Sequence, residues 1–178
     1  MPAPESRIFG IVGWHGSGKT TLICRLLPAL VNRGLRVSTL KHAHHSFDID
    51  RPGKDSWAHR AAGASEVLVA SRNRWALMHE LRDGAAEPGL QELLRRMGPS
   101  DLVLVEGFKH ESHPKLEVFR HACGQSPLYP DDGMIIAVAS DAPPATARVP
   151  YLGLDDVEKI AALVLAEALP IAQIRWRG

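Results

Sequence analysis

What this chain lacks narrows its function before any motif is read. It has two cysteines, Cys24 and Cys123, too few and too far apart for a disulfide framework or a zinc site. No apolar run approaches the length of a membrane span. Neither sign of charge dominates: 21 Lys and Arg against 20 Asp and Glu leave a formal net charge of +1. A broad nucleic-acid footprint needs a surplus of cations along one face, so that class of partner is not expected. The opening Met1-Pro2-Ala3-Pro4-Glu5-Ser6-Arg7 is short and polar, without the apolar stretch of a secretory signal, and a cytoplasmic location is the expectation. Any anion site in such a protein has to be local.

What remains is an ordinary globular composition, 45% hydrophobic over 178 residues. That length suits one domain, residues 1–178 with a core from about 7 to 169, able to bury roughly 70% of the surface its unfolded chain exposes. The local anion site is Gly13-Trp14-His15-Gly16-Ser17-Gly18-Lys19-Thr20-Thr21, which follows the apolar run Ile8-Phe9-Gly10-Ile11-Val12 and matches G-x-x-x-x-G-K-[ST]. Glycines let the backbone wrap closely around phosphate oxygens with its N–H groups turned inward. The helix expected next adds its unpaired N-terminal donors and the positive end of its dipole. The nucleotide-binding set is therefore Gly13, His15, Gly16, Ser17, Gly18, Lys19, Thr20 and Thr21, with Lys19 reaching the β/γ-phosphates and the Thr20 hydroxyl on Mg²⁺. A glycine-rich turn that matches by chance is the competing reading.

After this loop, Leu22, Ile23, Leu26, Leu27, Leu30 and Val31 recur with helical period, Pro28 interrupts one backbone bond, and Gly34 is a natural stop. Leu35–Leu40 reads as a second strand, which makes a βαβ opening and a three-layer α/β domain with a mostly parallel sheet. The stretch from Lys41 to Asp55 carries His42, His44, His45, Asp48 and Asp50 and lies where open α/β sheets place ligands. Asp48 is its candidate for a Mg²⁺-linked carboxylate, and a solvated polar loop is the plainer alternative. Asp55 or Ser56 can cap a short helix ended by Gly63. The runs Glu66–Ser71 and Trp75–Glu80 are separated by Arg72-Asn73-Arg74 and predict an added antiparallel β-hairpin, a plausible dimer edge. Another short helix is expected around Leu90–Met97.

Asp101–Val105 ends in Glu106-Gly107, the pattern of a buried parallel strand delivering a carboxylate to the phosphate site. Such an acid holds Mg²⁺ or its water, or orients the attacking nucleophile, so Glu106 joins Thr20 as a metal residue and Lys19 as a catalytic one. Asp101, at the other end, reads as structural. Lys115–Arg120 alternates and suggests a half-buried strand. Met134–Ala139 is a buried strand ending at Ser140-Asp141, the position from which many guanine nucleotide binders pair a carboxylate with guanine, although the Asn-Lys-x-Asp signature is missing. A last strand near Val149–Leu152, a helix from about Asp155 to Leu169 and a frayed tail at Arg175–Gly178 complete the chain.

Several pieces together resemble the MobB family of molybdopterin-guanine dinucleotide biosynthesis adapter proteins. They are Gly13 to Thr21, Lys41-His42-Ala43-His44-His45, Pro52-Gly53-Lys54-Asp55-Ser56, Ala62-Gly63-Ala64, Arg74-Trp75-Ala76-Leu77-Met78, Val105-Glu106-Gly107-Phe108-Lys109-His110 and Ile136-Ala137-Val138-Ala139-Ser140-Asp141. The resemblance runs in collinear order from about Arg7 to Leu169. It implies a P-loop NTPase-like three-layer α/β fold, GTP with Mg²⁺ as ligand and cofactor, at most slow GTP hydrolysis, and a homodimer. It also implies partnership with a MobA-type guanylyltransferase, and with other molybdenum cofactor proteins, in making molybdopterin guanine dinucleotide. The residues agree about slow turnover. The phosphate loop has no second lysine, and no arginine finger can be assigned, whose absence costs roughly 10³–10⁵ in rate. The alternative on the same fold is a small-molecule kinase or a dethiobiotin-synthetase-like ATP-dependent enzyme, because Val-Glu-Gly at a strand end occurs there too.

Overall fold

The computed structural model describes residues 6–43, 48–143 and 148–176. They form two compact units, residues 1–42 with 90–178, and residues 43–89.

The first unit is built on a mostly parallel sheet. Its strands are β1 (Arg7–Val12), β2 (Val37–Lys41), β5 (Leu102–Glu106), β6 (Lys115–Phe119), β7 (Ile135–Ser140), β8 (Tyr151–Gly153) and β9 (Leu169–Pro170), while β3 (Glu66–Ala70) and β4 (Trp75–His79) belong to the second unit. The order across the sheet is β2-β5-β1-β6-β7-β8, all parallel, and β9 runs antiparallel against β1. Strand β2 is therefore not the neighbour of β1; β5 lies between them. Side chains alternate across the pleat, so one face of β1 sends Phe9 and Ile11 toward α1 (Lys19–Val31) and α4 (Val157–Glu167). Leu22, Ile23, Leu26 and Leu30 of α1 and Ile160, Ala161 and Val164 of α4 fill that layer. The opposite face sends Ile8, Val103 and Val105 against Leu90 and Leu94 of α3 (Leu90–Arg96). The expected three layers are present. Among the described residues, no helix is long and apolar enough to cross a membrane.

Two expectations change here. Strand β6 alternates polar and apolar in sequence, yet all five of its residues are buried. Leu116 and Val118 join the α1 layer, while Lys115 and Glu117 point to the other face and find polar partners there. The Lys115 ammonium donates to the carbonyls of Lys109 and Glu111 and to Asp132 Oδ2 at 2.6, 2.8 and 2.7 Å. Glu117 accepts the N–H groups of Leu128 and Tyr129. Alternation reads as one wet face only when nothing covers the charges. The chain end also departs in part from a frayed tail: helix α4 stops at Glu167, β9 follows, Ile174 and Trp176 pack into the α3 layer, and Arg177 and Gly178 lie outside the described residues.

The second unit holds α2 (Asp55–Ala61) and the hairpin of β3 (Glu66–Ala70) and β4 (Trp75–His79), paired antiparallel with Leu68 opposite Leu77. The turn is closed by Ser71, whose N–H donates to the Arg74 carbonyl at 2.8 Å. Helix α2 buries none of its residues. What gathers this unit is Arg60. Its guanidinium donates to Glu80 at 2.6 Å, to Asp50 at 2.6 and 3.2 Å and to Asp48 at 3.1 Å, and these acids push its pKa further above the ordinary arginine value. The backbone carbonyl of the same residue accepts from Arg82.

Candidate nucleotide site

Between β1 and α1 the chain makes three backbone conformations that favour glycine: Gly13, Gly16 and Gly18 have φ of 143°, 78° and 100°. At Gly13 space is the stronger demand, because a Cβ would collide with the Val118 carbonyl and stand 2.8 Å from Ser17 Oγ. The Ser17 N–H closes the loop onto the Trp14 carbonyl at 3.2 Å. The first turn of α1 opens on this loop and its first side chain is Lys19, so the unpaired helix donors and the lysine charge share one end.

The Lys19 ammonium is folded back over the loop and donates to the carbonyls of Gly13 and Trp14 at 3.0 and 2.8 Å. Burial is the main cause lowering its pKa; Glu106 works against that, and Lys109 and Lys41 add to it. Ser17 is buried and its hydroxyl has no hydrogen-bond partner, an unsatisfied group inside the loop. His15, Thr20 and Thr21 stand exposed at the rim.

Glu106 reaches the same place from β5. Its strand register sets it level with Ile11 on one side and Lys41 on the other. Its Oε1 accepts from the Thr20 hydroxyl at 2.9 Å and lies 3.0 Å from Lys41 Nζ, which also donates to Thr20 at 3.2 Å. Glu106 is 8% exposed, so this cluster is mostly shielded from solvent on its side. Beyond it, Gly107 and Phe108 both take positive φ, 92° and 50°, turning the chain away sharply. For phenylalanine that conformation is strained, and its ring is held by stacking on His42 with centroids 4.7 Å apart. The pieces Lys41-His42 and Glu106-Gly107-Phe108 are thus one contact set.

On the far side, Asp141 follows β7. Its Oδ1 accepts from the Ser140 hydroxyl at 3.3 Å and its Oδ2 lies 3.9 Å from Arg120 Nη1. Arg120, directly after β6, donates from Nε to the Ser17 carbonyl at 3.0 Å. Sequence reading missed Arg120. The signal available for it was a cation one position past a buried parallel strand. Trp14 was passed over as well: its Nε1 donates to the Ser126 carbonyl at 2.7 Å, and Lys109 Nζ stands 4.1 Å from its ring centre. Burial lowers the pKa of Lys109, opposed by Glu117.

Lys19, Thr20, Glu106 and Asp141 are therefore all in the first unit, at the carboxyl ends of β1, β5 and β7. Asp48 is in the second unit, engaged by Arg60. His44 and His45 lie outside the described residues.

Residues 8–141 match the model of a family described as MobB, molybdopterin guanine dinucleotide synthesis protein B. The chain belongs to the MobB family. It is 47% identical over 161 residues to the molybdopterin-guanine dinucleotide biosynthesis adapter protein of Escherichia coli K12, covering 89% of this chain and 91% of that one. The adapter protein of Haemophilus influenzae is 41% identical over 154 residues, covering 86% of this chain and 85% of its own. Among solved structures, a molybdopterin-guanine biosynthesis protein B superposes with a TM-score of 0.67 at 30% identity, over 89% of this chain and 97% of that chain. Bacillus subtilis MobB superposes with a TM-score of 0.66 at 28% identity, over 92% and 98%. The fold is the P-loop NTPase-like α/β fold of MobB, with its separate antiparallel hairpin.

Proposed function

We propose that this protein is a cytoplasmic GTP-binding adapter in molybdopterin guanine dinucleotide biosynthesis, working beside a MobA-type guanylyltransferase and hydrolysing GTP slowly. The observation that carries this reading is the meeting of Thr20 and Glu106 at 2.9 Å beside the glycine-rich loop and Lys19. In it, Gly13 and residues 15–21 cradle the phosphates and Lys19 leaves its loop carbonyls for the β/γ-phosphate oxygens. Asp141 accepts from guanine N1–H and N2–H.

A hydroxyl and a carboxylate within one hydrogen bond are hard oxygen donors of the kind Mg²⁺ takes, and the Lys41 ammonium against both oxygens supports a preference for cations there. Thr20 and Glu106 would hold the ion. Asp48, the further carboxylate expected for the ion, is paired with Arg60 in the second unit. When bound, the ion would neutralise charge on the phosphate oxygens. Lys19 adds a second fixed charge at the phosphates, and Glu106 orients water at the site's edge. No arginine is assigned to the transferring phosphate, in keeping with slow turnover.

The hairpin supports a homodimer. Leu68, Leu77 and Trp75 share one of its faces and are 60%, 41% and 67% exposed, an apolar strip on a two-stranded sheet.

Calorimetric titration with GTP and ATP in the presence of Mg²⁺ tests the ligand. Preference for GTP, with binding that weakens strongly in Lys19→Ala, supports the reading, and preference for ATP overturns it. Glu106→Gln should alter the Mg²⁺ dependence and hydrolysis more than GTP affinity. Association with a MobA-type guanylyltransferase tests the adapter role, and rapid acceptor-dependent turnover would favour a kinase instead.

A further inference from the structure

The phosphate loop and the carboxylate assigned to the base are joined by one side chain. Strands β6 and β7 run parallel with Phe119 level with Ser140, so Arg120 and Asp141 leave the sheet next to each other. The guanidinium of Arg120 then faces two ways. Its Nε donates to the carbonyl of Ser17 at 3.0 Å, inside the loop. Its Nη1 lies 3.9 Å from Asp141 Oδ2, while the other carboxylate oxygen accepts from Ser140. A Cβ on Gly18 would meet Arg120 Nε and Nη2 at 3.5 and 3.6 Å, so the guanidinium lies along the bare glycine edge of the loop. Arg120 and Asp141 are 41% and 40% exposed, which leaves the carboxylate within reach of a ligand.

We propose that Arg120 is a positioning residue that couples the phosphate loop to Asp141, and that selectivity for guanine over adenine depends on this coupling. This rests on the reading of Asp141 as the residue that meets guanine.

The chemistry follows from the two bases. Guanine offers N1–H and N2–H side by side, which suits an ionised carboxylate held in their plane. Adenine offers a lone pair at N1, which the same carboxylate repels, and a site built around a hydrogen bond rejects the ligand that lacks it. Discrimination of this kind needs the carboxylate at a fixed place relative to the phosphates, because ribose sets the span between base and triphosphate. A guanidinium is rigid, planar and always charged, and it has donors on separate edges. One edge of Arg120 is held by the loop, and the next faces Asp141. Lysine is a single point charge on a flexible stem and cannot serve both edges.

The test is the dissociation constant, with Mg²⁺, of GTP, ATP and inorganic tripolyphosphate for the unaltered protein, Arg120→Ala, Arg120→Lys and Asp141→Asn. Far-ultraviolet circular dichroism checks that each variant is folded. The expected result is a preference for GTP in the unaltered protein that falls roughly tenfold in both Arg120 variants, the order of one charge-assisted hydrogen bond. Tripolyphosphate, having no base, should bind the Arg120 variants nearly as before. Equal losses for all three ligands would make Arg120 a brace for the loop and overturn the coupling, as would an unchanged GTP-to-ATP ratio. The guanine reading itself fails separately, and takes the proposal with it, where the unaltered protein does not discriminate or Asp141→Asn keeps the preference for GTP.

Discussion

In the sheet unit α1 buries Leu22, Ile23, Leu26 and Leu30 against the strands, whereas in the hairpin unit α2 buries no residue and Arg60 gathers Asp48, Asp50 and Glu80 instead. One unit is stabilised chiefly by apolar area removed from water; the other buries few apolar side chains, Val67 and Met78 among them, and adds directional charge pairs around a single guanidinium. The difference bears on the proposed function because close packing holds the sheet unit in one arrangement, and that unit carries the glycine-rich loop, Glu106 and Asp141. A unit held by partly exposed ion pairs opens at lower cost, and it leaves Leu68, Leu77 and Trp75 toward solvent.

The sharpest way to break this comparison is to cut one support in each unit. Leu26→Ala removes a fully buried α1 side chain and should cost about 2–5 kcal/mol of global stability, read by denaturant unfolding. Arg60→Met should cost less global stability, because it breaks solvent-screened charge pairs without opening a cavity in a packed layer. Its effect should be local: faster amide exchange in residues 48–82, with protection in β1, β5 and β6 unchanged. Global destabilisation matching that of Leu26→Ala would show that the units do not differ in this way.

Acid sharpens the contrast within the sheet unit. His113 is fully buried beside Gly10, where a Cβ would stand 2.5 Å from its Nε2, and neither ring nitrogen has a hydrogen-bond partner. Burial first, then the Lys115 charge, lower its pKa from 6.5 to about 3, with Asp132 opposing. Above pH 6.5 the ring is neutral in both folded and unfolded chains and contributes no pH dependence. Between pH 6.5 and about 3 the unfolded chain takes up a proton that the folded one refuses, so stability falls as pH falls. The expected slope is about 1.4 kcal/mol per pH unit from this group, and His113→Asn should flatten it in unfolding curves. The smallest effect on stability is expected at the hairpin: Leu68→Ser should stay within about 0.5 kcal/mol of the unaltered protein. Its consequence should appear in sedimentation, as weakened self-association.

Much of the candidate site was legible because its parts are local in sequence. The glycines, Lys19 and Thr20 occupy one short stretch, and Glu106 ends an apolar run that can only be a buried strand. The hairpin was equally plain from Glu66 to His79, where two strand runs flank a short polar turn. Arg120 was invisible because its meaning depends on β6 lying next to β1 and β7, a neighbour relation that periodicity does not encode. Lys115 and Glu117 misled for a related reason. Their alternation with Leu116 and Val118 resembles a wet face, and only the segments carrying Lys109, Glu111, Leu128, Tyr129 and Asp132 make that face dry.

By itself the sequence determined the layered α/β plan, the loop from Gly13 to Thr21 and the presence of a strand-end carboxylate, since each follows from backbone chemistry and hydrophobic period within a few residues. Tertiary structure alone decided which strands adjoin. It thereby set Glu106 level with Lys41 and within 2.9 Å of Thr20, and Arg120 between Ser17 and Asp141. These are contacts between residues far apart in the chain, and strand order and register, fixed by how the buried faces pack, bring them together.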